Sequence, residues 1–144
     1  MATLLDRPHK LVSYQFTIAN VLAGTGGTSP VAGILAGGNG MNGPIVPTGY
    51  RFAPVHIDVE TNDARTAGVS TVKVTEDATA LSGGPEAVLN ATNTTRASGS
   101  VSGDPDTVAA GAEIGVAAYG DGTFAPTTAD LDVVLYGYFL PAAS

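Results

Sequence analysis

The 144-residue chain contains no cysteine, six Lys and Arg against thirteen Asp and Glu, and a formal net charge of -7. It therefore offers no disulfide framework, thiolate metal site or cysteine nucleophile, and too few clustered cations to neutralise a nucleic-acid backbone. Charged residues are 13% of the chain and hydrophobic ones 44%, the reverse of the balance that produces disorder, and the length suits one domain.

Residues 1–10 read as a tail. No basic stretch leads into an apolar core there, so no signal peptide is expected, and no apolar run in the chain reaches the length of a membrane span. Over residues 11–22, Val12, Tyr14, Phe16 and Ile18 alternate with Ser13, Gln15 and Thr17. This two-residue period is that of a half-buried strand, whose register is firm because a slip of one residue would expose all four apolar groups.

Residues 23–49 break the pattern with nine glycines and three prolines. A structureless stretch of this length is uncommon inside a compact domain and tends to be functional or mobile. Val31, Ile34, Leu35, Met41, Ile45 and Val46 are spaced through it. Two readings stay open: a loop folded over the domain's own core, or an arm whose six apolar residues contact a partner.

Residues 50–140 read as the main body. Val55, Ile57 and Val59 alternate with His56, Asp58 and Glu60; Val69–Glu76 is rich in Thr and Val; and a further strand is expected over Ala87–Thr95 after the Ser82-Gly-Gly-Pro break. Ile114, Val116 and Ala118 lead to a turn at Asp121-Gly122. Leu131, Val133, Leu135 and Phe139 then outline a closing strand, with Asp132, Val134, Tyr136 and Tyr138 on its other side. Seven or eight short strands, with turn signals every ten to fifteen residues and no helical stripe, predict an all-β fold. It is a single antiparallel β-sandwich or jelly-roll-like domain with a long Gly/Pro-rich N-terminal loop or arm. The charge is uneven along it. Residues 1–57 hold Asp6 against Arg7, Lys10 and Arg51, a net of +2, and residues 58–144 hold twelve acids against Arg65, Lys73 and Arg96, a net of -9. One end for contact and one for solvent is the expectation.

Chemistry is sparse. His56, Asp58 and Glu60 share a strand face, as metal ligands could, but so do the side chains of any solvated strand, and no further ligand is evident. Asp104, Asp106, Asp121, Asp130 and Asp132 lack the spacing of a calcium loop and suit turns, which Asp closes through its own side chain. Residues 37–43 lack the Lys-Ser/Thr of a phosphate-binding loop, and no G-x-S-x-G elbow occurs. The expectation is no enzyme, no catalytic or metal-binding residue and no cofactor.

Val108-Ala-Ala-Gly-Ala-Glu-Ile-Gly-Val116 and Ala129-Asp-Leu-Asp-Val-Val-Leu-Tyr-Gly-Tyr-Phe139 give residues 50–140 a pattern that resembles the small β-sandwich decoration or cement proteins of tailed-phage capsids. The resemblance implies a structural virion protein on the outer capsid surface, made in the host cytoplasm. Its partner would be the major capsid protein, it would self-associate with a homotrimer favoured, and it would have no nucleic-acid or membrane partner. The alternative is a β-sandwich binding module, such as a phage fibre, a carbohydrate-binding domain or an adhesin-like domain. That reading needs an aromatic platform, for which Tyr119, Phe124, Tyr136 and Tyr138 are the candidates.

Overall fold

In the computed structural model the chain is described over residues 10–20, 30–36, 42–103 and 106–142. It is all-β, with two antiparallel sheets face to face. The strands are β1 (Leu11–Ile18), β2 (Val31–Ala32), β3 (Ile34–Leu35), β4 (Tyr50–Thr61), β5 (Ser70–Glu76), β6 (Thr79–Ala80), β7 (Glu86–Leu89), β8 (Arg96–Ser100), β9 (Ile114–Gly120) and β10 (Leu131–Pro141). Sheet A runs β3-β1-β10-β4-β8 and sheet B runs β2-β9-β5-β6, with β7 also paired to β5.

The alternation in the sequence becomes the division between core and surface. Phe16, Ile18, Leu131, Val133, Leu135 and Ile57 point inward from sheet A and meet Val72, Val74, Val116 and Leu89 from sheet B, all fully or almost fully buried. At one end the core is aromatic: the Phe52 ring lies 5.9 Å from Tyr14, edge-on, and 5.3 Å from Phe139. A side chain at Gly137 would collide with the Phe52 ring and the Ala53 carbonyl, so this glycine makes room for the cluster. The β10–β4 register shifts here, with Tyr136 opposite His56 and Gly137 opposite Pro54; Val55 is the extra residue of a β-bulge. Burial holds the Tyr14 phenol above its ordinary pKa of 10.0, since the ionised form is the one that loses hydration.

The Gly/Pro-rich segment seals one side of the sandwich. β2 pairs with β9 through Val31–Ala118 and Ala32–Ala117, while β3 pairs with β1 through Leu35–Phe16 and Ile34–Thr17. Residues 31–35 thus pass from sheet B to sheet A, with the corner at Gly33, as strands do where two sheets are joined at an edge. A Cβ at Gly33 would stand 2.7 Å from Val116 Cγ2, closer than packing allows. The Gly33 N–H donates to the Val116 carbonyl at 2.8 Å. Further along the same edge, Ile114 N–H donates to the Pro44 carbonyl at 2.8 Å and Val46 N–H to the Ala112 carbonyl at 2.9 Å. These contacts cover the β9 edge, which would otherwise present unpaired backbone groups to other chains.

Two expectations need correction. The strand expected over Ala87–Thr95 ends at Leu89: the Asn90 side chain accepts hydrogen bonds from the Thr92 and Asn93 N–H groups, both at 2.9 Å, and this Asx turn reverses the chain. A separate strand, β8, then forms from Arg96-Ala-Ser-Gly-Ser100, whose composition gives little β signal.

The acidic turns behave as turn chemistry requires where they are described. Asp121 accepts from the Thr123 N–H and hydroxyl and from the Val69 N–H, each at 2.9 Å, and Asp130 accepts from the Asn20 N–H at 2.9 Å. Asp104 lies outside the described residues, Asp106 is exposed, and Asp132 sits in β10 rather than in a turn. The hydrogen bonds from Thr123, ahead of that from Val69, hold the Asp121 carboxyl below its ordinary pKa of 3.8. A depressed carboxylate contributes stability above the unfolded value and loses it as pH falls through the folded one. An NMR titration of the Asp121 carboxyl carbon is expected to show a midpoint below that of an unstructured Asp, with the 121–124 turn loosening only in acid.

Candidate interaction surface

β10 runs antiparallel to both β1 and β4, with Leu11 opposite Tyr138 and Pro141 opposite Tyr50. The starts of β1 and β4 therefore share one end of the sandwich with the finish of β10. A bridge between Phe52 and Val108, and a hydrogen bond from Gly111 N–H to the Val46 carbonyl at 2.8 Å, bring residues 44–49 and 108–113 to that end. Leu11, Ile45 and Tyr50 are 47%, 51% and 48% exposed there. They are three of the five large hydrophobic side chains left exposed among the described residues, the others being Ile34 and Val69. Single exposed apolar residues are ordinary, whereas several gathered at one end mark a contact surface. Tyr50 stands edge-on to Phe139 at 6.4 Å, and Arg51 Nε donates to the Pro141 carbonyl at 3.1 Å, which fixes the rim.

Of the six apolar residues singled out in the Gly/Pro-rich segment, Val46 is 1% exposed and belongs to the chain's own core. Val31 and Leu35 are half-buried and pack against that core. Met41 lies outside the described residues. Ile34, on the edge strand β3, and Ile45 are the two that face outward. Leu11 and Tyr50 escaped the sequence reading, although a signal existed for Leu11: with Val12 inward, strict alternation turns Leu11 out.

The outer face of sheet A holds the polar residues noted in the sequence. Cross-strand pairing sets Ser13, Tyr136, His56 and Ser100 in one row, Gln15, Val134, Asp58 and Ser98 in the next, and Thr17, Asp132, Glu60 and Arg96 in a third. His56 Nε2 lies 2.8 Å from Asp58 Oδ1, its Nδ1 meets the Ser100 hydroxyl, and its ring lies 5.8 Å from that of Tyr136. With Nε2–H donated to the carboxylate, Nδ1 is the acceptor for Ser100. Arg96 donates to Glu60 at 3.3 Å. His56, Asp58 and Glu60 are thus engaged by different partners, and among the described residues no three His, Asp or Glu side chains are grouped to hold a metal.

The Ser100–His56–Asp58 chain has the composition of a hydrolytic triad, but the groove beside it is lined by Asp58 and Ser98 and not by Ser100. A nucleophile also needs donors aimed at the developing oxyanion. The cross-strand bonds serve instead to tie the edge strand β8 to β4.

The four candidate platform aromatics are dispersed. Phe124 is 1% exposed, in the core. Tyr119 lies on the outer face of sheet B with the Lys73 ammonium 5.1 Å from its ring centroid. Only Tyr136 and Tyr138 share a face, on sheet A.

No protein-family model matches the sequence, and no match is found among curated proteins. Among solved structures the chain is similar to one from the cyanophage Pam1 capsid asymmetric unit, at a TM-score of 0.50 and 17% identity, over 92% of this chain and 86% of the other. At that identity the likeness is one of fold, and it spans nearly the whole length of both chains.

Proposed function

We propose that the chain is a structural virion protein that decorates or cements a tailed-phage capsid, binding the outer shell through the apolar end formed by Leu11, Ile45 and Tyr50. The observation that carries this reading is the fold shared along nearly the full chain with a protein of a cyanophage capsid asymmetric unit. The strand order supports it. β1-β10-β4-β8 facing β2-β9-β5-β7 is the arrangement of a jelly roll, a fold that recurs in viral capsid domains. Most of the acidic charge lies in residues 58–144, which suits a body that must stay soluble while crowded on a particle. The partner is the major capsid protein, with a trimer of this chain as the bound unit. Its work is contact rather than catalysis and uses no cofactor.

The test begins with gradient-purified particles, in which mass spectrometry is expected to find the chain co-sedimenting with the shell. Purified wild-type protein is then added back to stripped shells alongside Ile45→Asp and Tyr50→Asp. Placing a charge in a desolvated contact is expected to weaken binding by about 2–5 kcal/mol, while circular dichroism and the melting temperature stay unchanged because both side chains are exposed in the free protein. Recovery of the chain only in the particle-free fraction would overturn the assignment. Undiminished binding by both variants would overturn the docking face.

A further inference from the structure

We propose that the groove on the outer face of sheet A is a binding site for a neutral saccharide. The groove encloses about 730 Å³ and runs across β1, β10, β4 and β8, with Gln15, Asp58, Glu60, Arg96, Asp132 and Tyr136 on its walls. That volume falls within the roughly 300–1,000 Å³ of small-molecule sites, although the lining is more polar than most.

The charges in the groove are arranged at a cost to the fold. Asp132 stands directly opposite Glu60 across β10 and β4, and Asp58 lies two residues from Glu60 on the same face. Like charges directly opposed on a sheet are destabilising. Arg96 answers Glu60, and His56 hydrogen-bonds to Asp58. Asp132 has no hydrogen-bond or ion-pair partner among the described residues, whereas Asp121, Asp130, Glu76 and Asp77 each accept a backbone N–H and so hold a turn or loop in place. The Asp132 carboxylate thus does nothing for the fold and faces the groove.

The mixture of groups selects the ligand. Carboxylate oxygens accept from adjacent hydroxyls, the Arg96 guanidinium and the Gln15 and Asn93 amides donate, and an alternating set of this kind matches a polyol better than a single-sign ion. Tyr136, half-buried on a strand, offers a ring wall beside Val134, which suits the C–H face of a pyranose. Three carboxylates oppose an anionic sugar, a phosphate or a nucleic acid, and Arg96 opposes a cationic peptide segment. A neutral saccharide meets neither repulsion. This site lies away from the apolar end and does not depend on where the protein resides.

The experiment is a ¹⁵N-amide NMR titration of the full chain with maltohexaose, mannohexaose and chitohexaose. At least one is expected to give saturable shifts at Gln15, Asp58, Arg96, Ser98, Asp132 and Val134, with β5, β7 and β9 unmoved. Asp132→Asn and Tyr136→Ala are each expected to weaken binding about tenfold, the loss that accompanies removal of one hydrogen bond to a charged group or one stacking ring. Should Tyr136→Ala disturb the fold, Gln15→Ala replaces it. Ile45→Asp, which breaks shell docking, is expected to leave saccharide binding intact, so the two proposals fail separately. Absence of shifts with all three sugars overturns the site as a saccharide site. The same shifts elicited instead by a Lys/Arg hexapeptide or by an oligogalacturonate overturn the neutral-ligand assignment.

Discussion

Phe52→Ala is expected to lower the stability of the domain by about 3–5 kcal/mol, near the upper end of that range. The Phe52 side chain is fully buried and touches Tyr14 on β1 and Phe139 on β10 across three neighbouring strands. The cost of such a truncation grows with the cavity left behind, and here collapse is obstructed. Gly137 has no side chain to move into the space, and the Pro54–Gly137 pairing at the bulge holds the local backbone. For a domain of this size the loss corresponds to a drop in melting temperature of roughly 10–20 °C. The measurement is urea denaturation, with a lower midpoint and an unchanged slope as the expected signature. A loss under about 1 kcal/mol would mean that the three rings can repack around the hole.

Gly99→Val is expected to be at least as damaging, for a different reason. Gly99 lies on β8 opposite Ile57, facing inward, and a Cβ there would overlap the backbone carbonyl and amide of Glu86 on β7. β7 belongs to sheet B and β8 to sheet A, so the two sheets meet backbone to backbone along this side, opposite the side sealed by residues 31–35. A flexible side chain can step aside from an intruding atom, but a strand backbone cannot do so without breaking pairings. Substitution forces β8 away from β7, which exposes Ala97 and Leu89 and loosens the Ser100–His56 link. The expected penalty is about 3 kcal/mol or more, with hydrogen exchange accelerated first in β8 and β7. Full retention of protection in β7 and β8 would show that the edges tolerate separation. Ser98→Val is the control: its side chain shares the outer face of sheet A with Asp58, and a change well below 1 kcal/mol is expected.

Both substitutions act where chain and fold depend on each other in ways a single segment does not reveal. The alternation over residues 11–18 and 131–139 was enough to place Phe16, Ile18, Leu131, Val133 and Leu135 inside and Asp132, Tyr136 and Tyr138 outside, because side-chain direction in a strand follows from position alone. The same logic put His56, Asp58 and Glu60 on the solvent side of β4. The fold class and the turn-forming roles of Asp121 and Asp130 were likewise legible, since they rest on local geometry. β8 was not, because Arg-Ala-Ser-Gly-Ser has little intrinsic β preference and becomes a strand only by pairing with β4.

The Gly/Pro-rich segment shows most clearly where local reading ends. Its composition announced an irregular path and left open whether its apolar residues served the domain or a neighbour. Proximity to β9 on one sheet and β1 on the other made residues 31–35 a strand that changes sheets, drew Val46 into the core, and left Ile34 and Ile45 facing out. The polar groove has the same origin: Gln15, Asp58, Arg96 and Asp132 are scattered along the chain and meet only through the β1-β10-β4-β8 order. The residues by themselves determined which side chains seek water and where the chain turns, because both are properties of a few neighbouring positions. Which strands lie side by side, and so which distant residues share a surface, was decided by pairing and packing across the whole domain. Those contacts join positions as far apart as Leu11 and Tyr138, and no local pattern encodes them.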